Sequence, residues 1–267
     1  MIHLRSIQIK PFENPPSEYP FQLPLIKNNP LITFNSPVTF FVGENGSGKS
    51  TLLEAIAAAI GSIIVGSESI QQDKSLQPAR NLAFHMQLVW NKRTKKGFFL
   101  RAEDFFGYAK RMAAMKAEMQ ADLKEMEHQT KDRSVYAQQL AKQAFQREIH
   151  GMEQNKSDTL EQISHGESFI QLFQSRFVPG GLYLLDEPEA PLSPLRQLTL
   201  ISILKQMIAE NAQFIIATHS PILMAFPDAE ILNFDKLPIQ PVAFDDLQHV
   251  EIMRGFLTNP NAYLKHL

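Results

Sequence analysis

Three short stretches hold residues that could do chemistry together. The first is "GENGSGKST", residues 43–51, which satisfies G-x-x-x-x-G-K-[ST]. It follows the apolar run "VTFFV" and opens the helical run "KSTLLEAIAAAIG". A loop between strand and helix is the context a phosphate-binding loop needs. Its glycines let backbone N–H groups curl around phosphate oxygens, and the helix N-terminus adds partial positive charge. The candidate cradle is therefore Gly43, Glu44, Asn45, Gly46, Ser47, Gly48, Lys49, Ser50 and Thr51. Lys49 is placed to reach the β- and γ-phosphates of ATP, and the Ser50 hydroxyl to ligate Mg²⁺.

The second stretch is "LYLLDEPEA", residues 182–190, where an apolar run ends in the adjacent carboxylates Asp186 and Glu187. Asp186 is a candidate Mg²⁺ ligand, and Glu187 a candidate for orienting or deprotonating the attacking water. The third is "FIIATHSP", residues 214–221, in which His219 follows another apolar run and could hydrogen-bond a γ-phosphate. Between these lies "ISHGESF", residues 163–169, with a serine, a histidine and a glutamate around Gly166. A serine hydrolase is excluded there. No G-x-S-x-G elbow is present, and a histidine adjacent in sequence to a serine is poorly placed to act as its base. A helix-capping role for this stretch stays open and is compatible with a phosphate role.

The elements that must position these residues read as α/β. "HLRSIQI" alternates as a strand, and "VTFFV" reads as a buried one. In "KSTLLEAIAAAIG", Leu52, Leu53, Ile56, Ala57 and Ile60 share one face, with Gly61 as C-cap. "NLAFHMQLVW" and "GFFLRAEDFF" flank "NKRTKKG" like the strands of a hairpin, whose basic turn holds Lys92, Arg93, Lys95 and Lys96. "SPLRQLTLISILKQMIAEN" is an amphipathic helix with Ser193 at the cap and Pro194 in the first turn. "GLYLLDE", "QFIIATHS" and "AEILNFD" are strands, and their alternation with helices predicts a mainly parallel sheet. Residues 107–155 contain no proline and are rich in Ala, Lys, Glu, Gln and Met. Met112, Met115, Met119 and Met126 recur at helical spacing, so a helical arm is expected over about 105–165, with the methionines as packing.

Composition bounds the classes. The chain has 267 residues, 44% hydrophobic and 20% charged, which suits one large domain carrying an insertion. The net charge of −2 rules out a global basic field. No cysteine is present, so disulfides, thiolate metal sites and cysteine nucleophiles are excluded. No signal-peptide-like start or membrane-length apolar run is visible, so a cytoplasmic protein without membrane insertion is expected.

The order of phosphate loop, long helical insertion, "SHGES", "LLDEPE" and "THS" resembles an ABC-type ATPase head. The variant is more similar to stand-alone AAA-family ATPases of the ABC clan, relatives of SMC, RecF and OLD proteins, than to transporter cassettes. The resemblance covers about residues 1–235. It implies a P-loop NTPase core with an antiparallel β subdomain and an inserted helical arm. It also implies an ATP-dependent, head-to-tail homodimer. "SHGES" occupies the place of the ABC signature, so Ser164 and Gly166 would face ATP held by the other subunit, and Ser193 would lie near the dimer interface. Glu187, His219 and Lys49 would be catalytic. DNA, or a separate effector or nuclease, is the expected partner, since no nuclease-sized segment follows "AEILNFD". The alternative is the nucleotide-binding subunit of a membrane transporter. Two features depart from the pattern. The strand "GFFLRAE" carries Arg101 and Glu103 where a lid glutamine is expected, and the adenine-stacking aromatic falls to Tyr19 or Phe21.

Overall fold

The computed structural model describes residues 1–12, 16–28, 30–64, 73–101, 104 and 165–265. The expected arm over 105–165 and its methionine stripe lie almost wholly outside them, as does Ser164.

Two sheets form the frame. The smaller is antiparallel, with β1 (Leu4–Ile9) flanked by β2 (Leu31–Thr33) and β5 (Met86–Trp90). The larger has seven strands in the order β10-β9-β3-β8-β7-β6-β4. Its members are β3 (Val38–Val42), β4 (Ile63–Ile64), β6 (Phe98–Arg101), β7 (Leu182–Asp186), β8 (Gln213–Ala217), β9 (Glu230–Asn233) and β10 (Gln240–Pro241). All neighbouring pairs are parallel except β9 and β10.

The apolar runs form strands here because the sheet is covered on both faces, so no polar alternation is needed. Phe41, Leu184, Ile215 and Ala217 pack on one side, with Leu52, Leu53 and Ile56 of helix α2 (Lys49–Ile60) and with Leu4 and Ile7 of the small sheet. Phe40, Tyr183, Leu185 and Phe214 pack on the other, against Phe169 and Phe173 of α4 (His165–Arg176) and Leu200 and Leu204 of α5 (Pro194–Ala209). Short helices α1 (Pro24–Lys27), α3 (Gln77–Ala83), α6 (Pro221–Met224), α7 (Gln248–Thr258) and α8 (Pro260–Leu264) complete the described residues.

A buried amide joins the two sheets. Gln213, fully buried at the start of β8, accepts the N–H groups of His3 and Leu4 at 2.8 Å each and donates to Leu4 O at 3.0 Å. All the bonds run to backbone at the head of β1, so the small sheet is held in register with the large one.

Two expectations are corrected. The hairpin across residues 91–97 does not form: β5 pairs with β1 in the small sheet, while β6 pairs with β4 and β7 in the large one. The basic turn is therefore a crossover between sheets. Gly97 enforces it, with φ of 119° and its α-carbon so close to β7 that a Cβ would stand 1.8 Å from Leu182 O. The strand also begins later than "NLAFHMQLVW" suggests, because residues 81–83 end α3. A smaller difference concerns α5. Ser193 occupies its N-cap position with Pro194 following, but the serine side chain makes no capping hydrogen bond.

Candidate nucleotide-binding and hydrolysis site

Parallel register brings the three motifs to one edge. Phe41 of β3 lies level with Ala217 of β8, Ala217 with Asp186 of β7, and Asp186 with Arg101 of β6. The phosphate loop, Glu187 and His219 all emerge just beyond this row, at the C-terminal ends of adjacent strands, where α/β sheets bind ligands.

The loop wraps around Lys49. Its ammonium donates to Gly43 O at 2.7 Å and Glu44 O at 2.9 Å, and lies 3.5 Å from Ser47 Oγ. Lys49 is 5% exposed. Desolvation lowers its pKa, opposed by the negative charges of Asp235, Asp186, Glu187 and Glu44. Glu44, Asn45 and Gly46 are exposed at the loop's tip. Gly43 stands where no side chain fits: φ is 148° and a Cβ would lie 2.8 Å from Asp235 Oδ1. That same carboxylate oxygen accepts Glu44 N–H at 2.6 Å, so the end of β9 latches the loop.

Ser50 Oγ donates to Asp186 Oδ1 at 3.1 Å. A hydroxyl and a carboxylate oxygen meeting beside the phosphate loop are the hard-oxygen donors Mg²⁺ takes alongside substrate phosphate. The residues present therefore fit the ion. Asp186 keeps some exposure at the strand end, but its carboxyl is closely surrounded. Desolvation pushes its pKa up to about 7, against the Ser50 hydrogen bond, with Glu187, Glu54 and Glu189 adding to the rise. A cation at this position reverses that balance and favours the carboxylate.

Glu187 adopts the left-handed region, with φ of 49°. A non-glycine residue is held there only by its surroundings, and such strain concentrates at functional positions. Its N–H donates to Ala217 O at 2.9 Å, and its half-exposed carboxylate lies 3.8 Å from His219 Nε2. His219 N donates to Glu189 Oε1 at 2.7 Å. Burial raises the pKa of Glu189, opposed by bonds from Thr218 and the His219 backbone. Ser220, next along, caps α6 and donates to Gln197 Oε1 at 2.5 Å. The loop carrying His219 is thus fixed from two other segments.

Four features escaped the sequence reading. Asp235, Glu189 and Gln197 act on atoms of distant segments. Glu189 is the third acid of "DEPEA", while Asp235 and Gln197 lie inside the runs "AEILNFD" and "SPLRQLTLISILKQMIAEN", which read only as a strand and a helix. The fourth is the surrounding of Arg101, at the lid position. Its guanidinium grips Asp104 through two bonds of 2.8 and 2.9 Å, reaches Asp73 at 3.0 Å and lies 3.6 Å from Glu54 of α2. Glu103 lies outside the described residues.

The aromatic candidates separate cleanly. Phe21 is buried and packs edge-on to Phe12 and His85, so it offers no face to a base. Tyr19 is 54% exposed, and its hydroxyl meets Thr51 Oγ1 at 2.5 Å, beside the loop. Gly166 falls in the first described turn of α4.

The model of a family described as "AAA domain" matches residues 23–178. The chain belongs to this AAA domain family. A second model, "AAA domain, putative AbiEii toxin, Type IV TA system", matches residues 169–225. The AAA domain is a P-loop ATPase. Among solved structures it is similar to an SMC head domain from Thermotoga maritima, at 17% identity and TM-score 0.43, covering 91% of this chain and 100% of that one. It is also similar to the Smc head of Pyrococcus furiosus bound to the C-terminal domain of ScpA, at 13% identity and TM-score 0.47, covering 96% and 100%. CbiO1 of Clostridium perfringens, part of an ABC transporter complex, matches at 14% and 0.47, covering 100% of both chains. No curated protein matches. Among the described residues, no helix of the AAA domain is long and apolar enough to cross a membrane.

Proposed function

We propose that this ATPase is a nucleotide-driven switch. Two copies close head-to-tail around ATP and Mg²⁺, and hydrolysis lets them part. Lys49 and the amides of 43–51 hold the β- and γ-phosphates, and Tyr19 offers its ring to the base. Ser50 and Asp186 hold the metal, which supplies neutralising charge to the phosphates. Glu187 orients a water and takes its proton as the oxygen attacks the γ-phosphorus. The bond to the bridging oxygen breaks, and ADP leaves with the electron pair. His219 hydrogen-bonds the γ-phosphate and registers its loss. Ser164 and Gly166 contact the ATP of the other subunit. The protein acts in the cytoplasm on DNA, or with a separate effector or nuclease, in repair or defence. An arm over 105–165 carries the motion outward.

The observation that supports this most directly is the shared edge: Lys49, Ser50, Glu187 and His219 lie just past one transverse row of three strands, and Asp186, bonded to Ser50, lies in that row. The test is Glu187→Gln, which keeps the shape and removes the base. Loss of a general base costs about 10²–10⁴-fold in turnover. ATP should still bind, and a dimer stabilised by ATP should appear on size exclusion. Turnover that stays within threefold of wild type would move the base elsewhere. A variant that binds ATP and remains monomeric would overturn the dimer.

A further inference from the structure

The edge of the large sheet opposite the phosphate loop has its own concentration of charge. The crossover from β5 to β6 places Lys92, Arg93, Lys95 and Lys96 within five residues, in a chain whose 26 basic residues are outnumbered by 28 acidic ones. This crossover is pinned. The N–H groups of Asn91 and Lys92 donate to His3 O at 2.8 and 3.3 Å, and Leu182 N–H donates to Lys96 O at 3.0 Å. Thr94 Oγ1 donates to Gly180 O at 3.0 Å and accepts Lys96 N–H at 3.1 Å. The buried His3 ring lies 3.3 and 2.8 Å from the carbonyl oxygens of Lys92 and Asn211.

The backbone is committed, but most of the cations are not. Lys96 Nζ donates to Pro179 O at 3.2 Å. Among the described residues, Lys92, Arg93 and Lys95 make no side-chain hydrogen bond and no ion pair. They border an open cleft of about 580 Å³, floored by His3, Pro179, Gly180 and Asn211. Among the described residues Glu210 also lines it, one acid against four cations, and no aromatic residue other than His3 does.

We propose that this cleft binds the phosphate backbone of a double-helical nucleic acid without regard to sequence. The fixed backbone needs no ordering when these cations meet phosphates, and each contact releases counterions. Five residues reach at most ~17 Å, which faces several phosphates, each strand carrying one per about 3.4 Å of helix axis. Single-strand sites combine a basic groove with aromatic platforms on which bases stack. Among the described residues no Phe, Tyr or Trp lines the cleft, so an unpaired strand finds no stacking platform there and the duplex backbone is favoured. The proposal rests on the nucleic-acid partner proposed above. It shares no residue with the ATP site.

The experiment is fluorescence anisotropy of a labelled duplex of about 20 base pairs, with the full chain, at about 50 and 200 mM salt. Wild type should bind at low salt and weaken steeply with salt. The combined Lys92→Ala, Arg93→Ala and Lys95→Ala variant should bind at least tenfold more weakly. Its log–log salt slope should fall by about 2.7, near 0.9 per lost phosphate contact. A melting curve by circular dichroism verifies its fold, which these unpaired side chains do not support. DNA and RNA duplexes should both bind, and a single strand of equal length more weakly. No duplex binding at low salt, equal binding by the variant, or preference for the single strand would overturn the proposal. Displacement of the duplex by stoichiometric tripolyphosphate would assign the cleft to small phosphates and also overturn it. The Lys49→Ala variant should still bind duplex. Duplex binding without ATP hydrolysis in wild type would therefore count against the ATPase reading alone.

Discussion

The two edges of the seven-stranded sheet are built from the same strands and treat polar groups in opposite ways. At the N-terminal edge, Gln213 spends its amide on three backbone bonds, and the cations of the crossover stand in solvent. At the C-terminal edge, Lys49 is desolvated, Asp186 is pushed up to about 7, and Glu187 is held in the left-handed region. The first arrangement joins two sheets at low cost. The second is tolerated because the strands beneath it are apolar on both faces and hold the loops whatever strain they carry. Unfavourable groups gathered at one edge are a mark of function, since folding alone gives no reason to place them together.

The comparison breaks most visibly at Lys49. Lys49→Ala removes the loop's cation, and ATP binding should fall below detection by calorimetry. Removing a desolvated ammonium should leave the melting temperature unchanged or higher. A variant that binds ATP normally would show that the loop is not the phosphate site. A variant that unfolds would show that Lys49 serves the fold, and the contrast between edges would vanish.

The converse break lies at the other edge. Gln213→Leu keeps volume and strands two buried N–H groups without acceptors. Each such group costs about 1–3 kcal/mol, so the unfolding free energy read from a urea titration should drop by an amount on the order of 2–6 kcal/mol. Turnover per folded molecule should hold, because Gln213 begins the strand whose far end carries His219. Equal losses of turnover and stability would mean that the two edges are not separable.

What the sequence disclosed follows the same division. The phosphate loop, "LLDEPE" and "THS" were legible because each puts its chemistry within a few residues, after an apolar run that can only be a buried strand. The parallel sheet followed from the alternation of strands and helices. The crossover at 91–97 was misread because a basic run with a glycine between two strands carries the local signal of a hairpin. Only the pairing of β5 with β1, far upstream, and the press of Gly97 on Leu182 exclude one. Asp235, Glu189 and Gln197 were invisible for a related reason. Each touches a segment remote in sequence, two of them at a backbone N–H and the third at a hydroxyl, and no spacing rule encodes such contacts.

Glu189 allows the finest test of how the catalytic edge is held. Its Oε1 accepts the His219 N–H at 2.7 Å, while Glu187 reaches the same histidine only at 3.8 Å. The backbone of His219 is therefore fixed by Glu189, and its ring is left partly exposed beside Glu187. Burial already raises the pKa of Glu189, so a neutral amide in its place loses little. Glu189→Gln keeps an oxygen that can accept the same bond, and turnover should stay within about threefold of wild type. Glu189→Ala removes the acceptor, and the loop can shift. A displacement of about 1 Å at a catalytic group costs up to ~10²-fold, so turnover should fall by roughly 10- to 100-fold. ATP affinity should change little in either variant, because Lys49 and the loop amides are untouched. The pattern to look for is a split: kcat lowered in Ala, restored in Gln, with KM steady in both. A loss shared equally by both variants would mean that charge at Glu189 matters rather than the bond, and would place this carboxylate among the groups that act on the substrate.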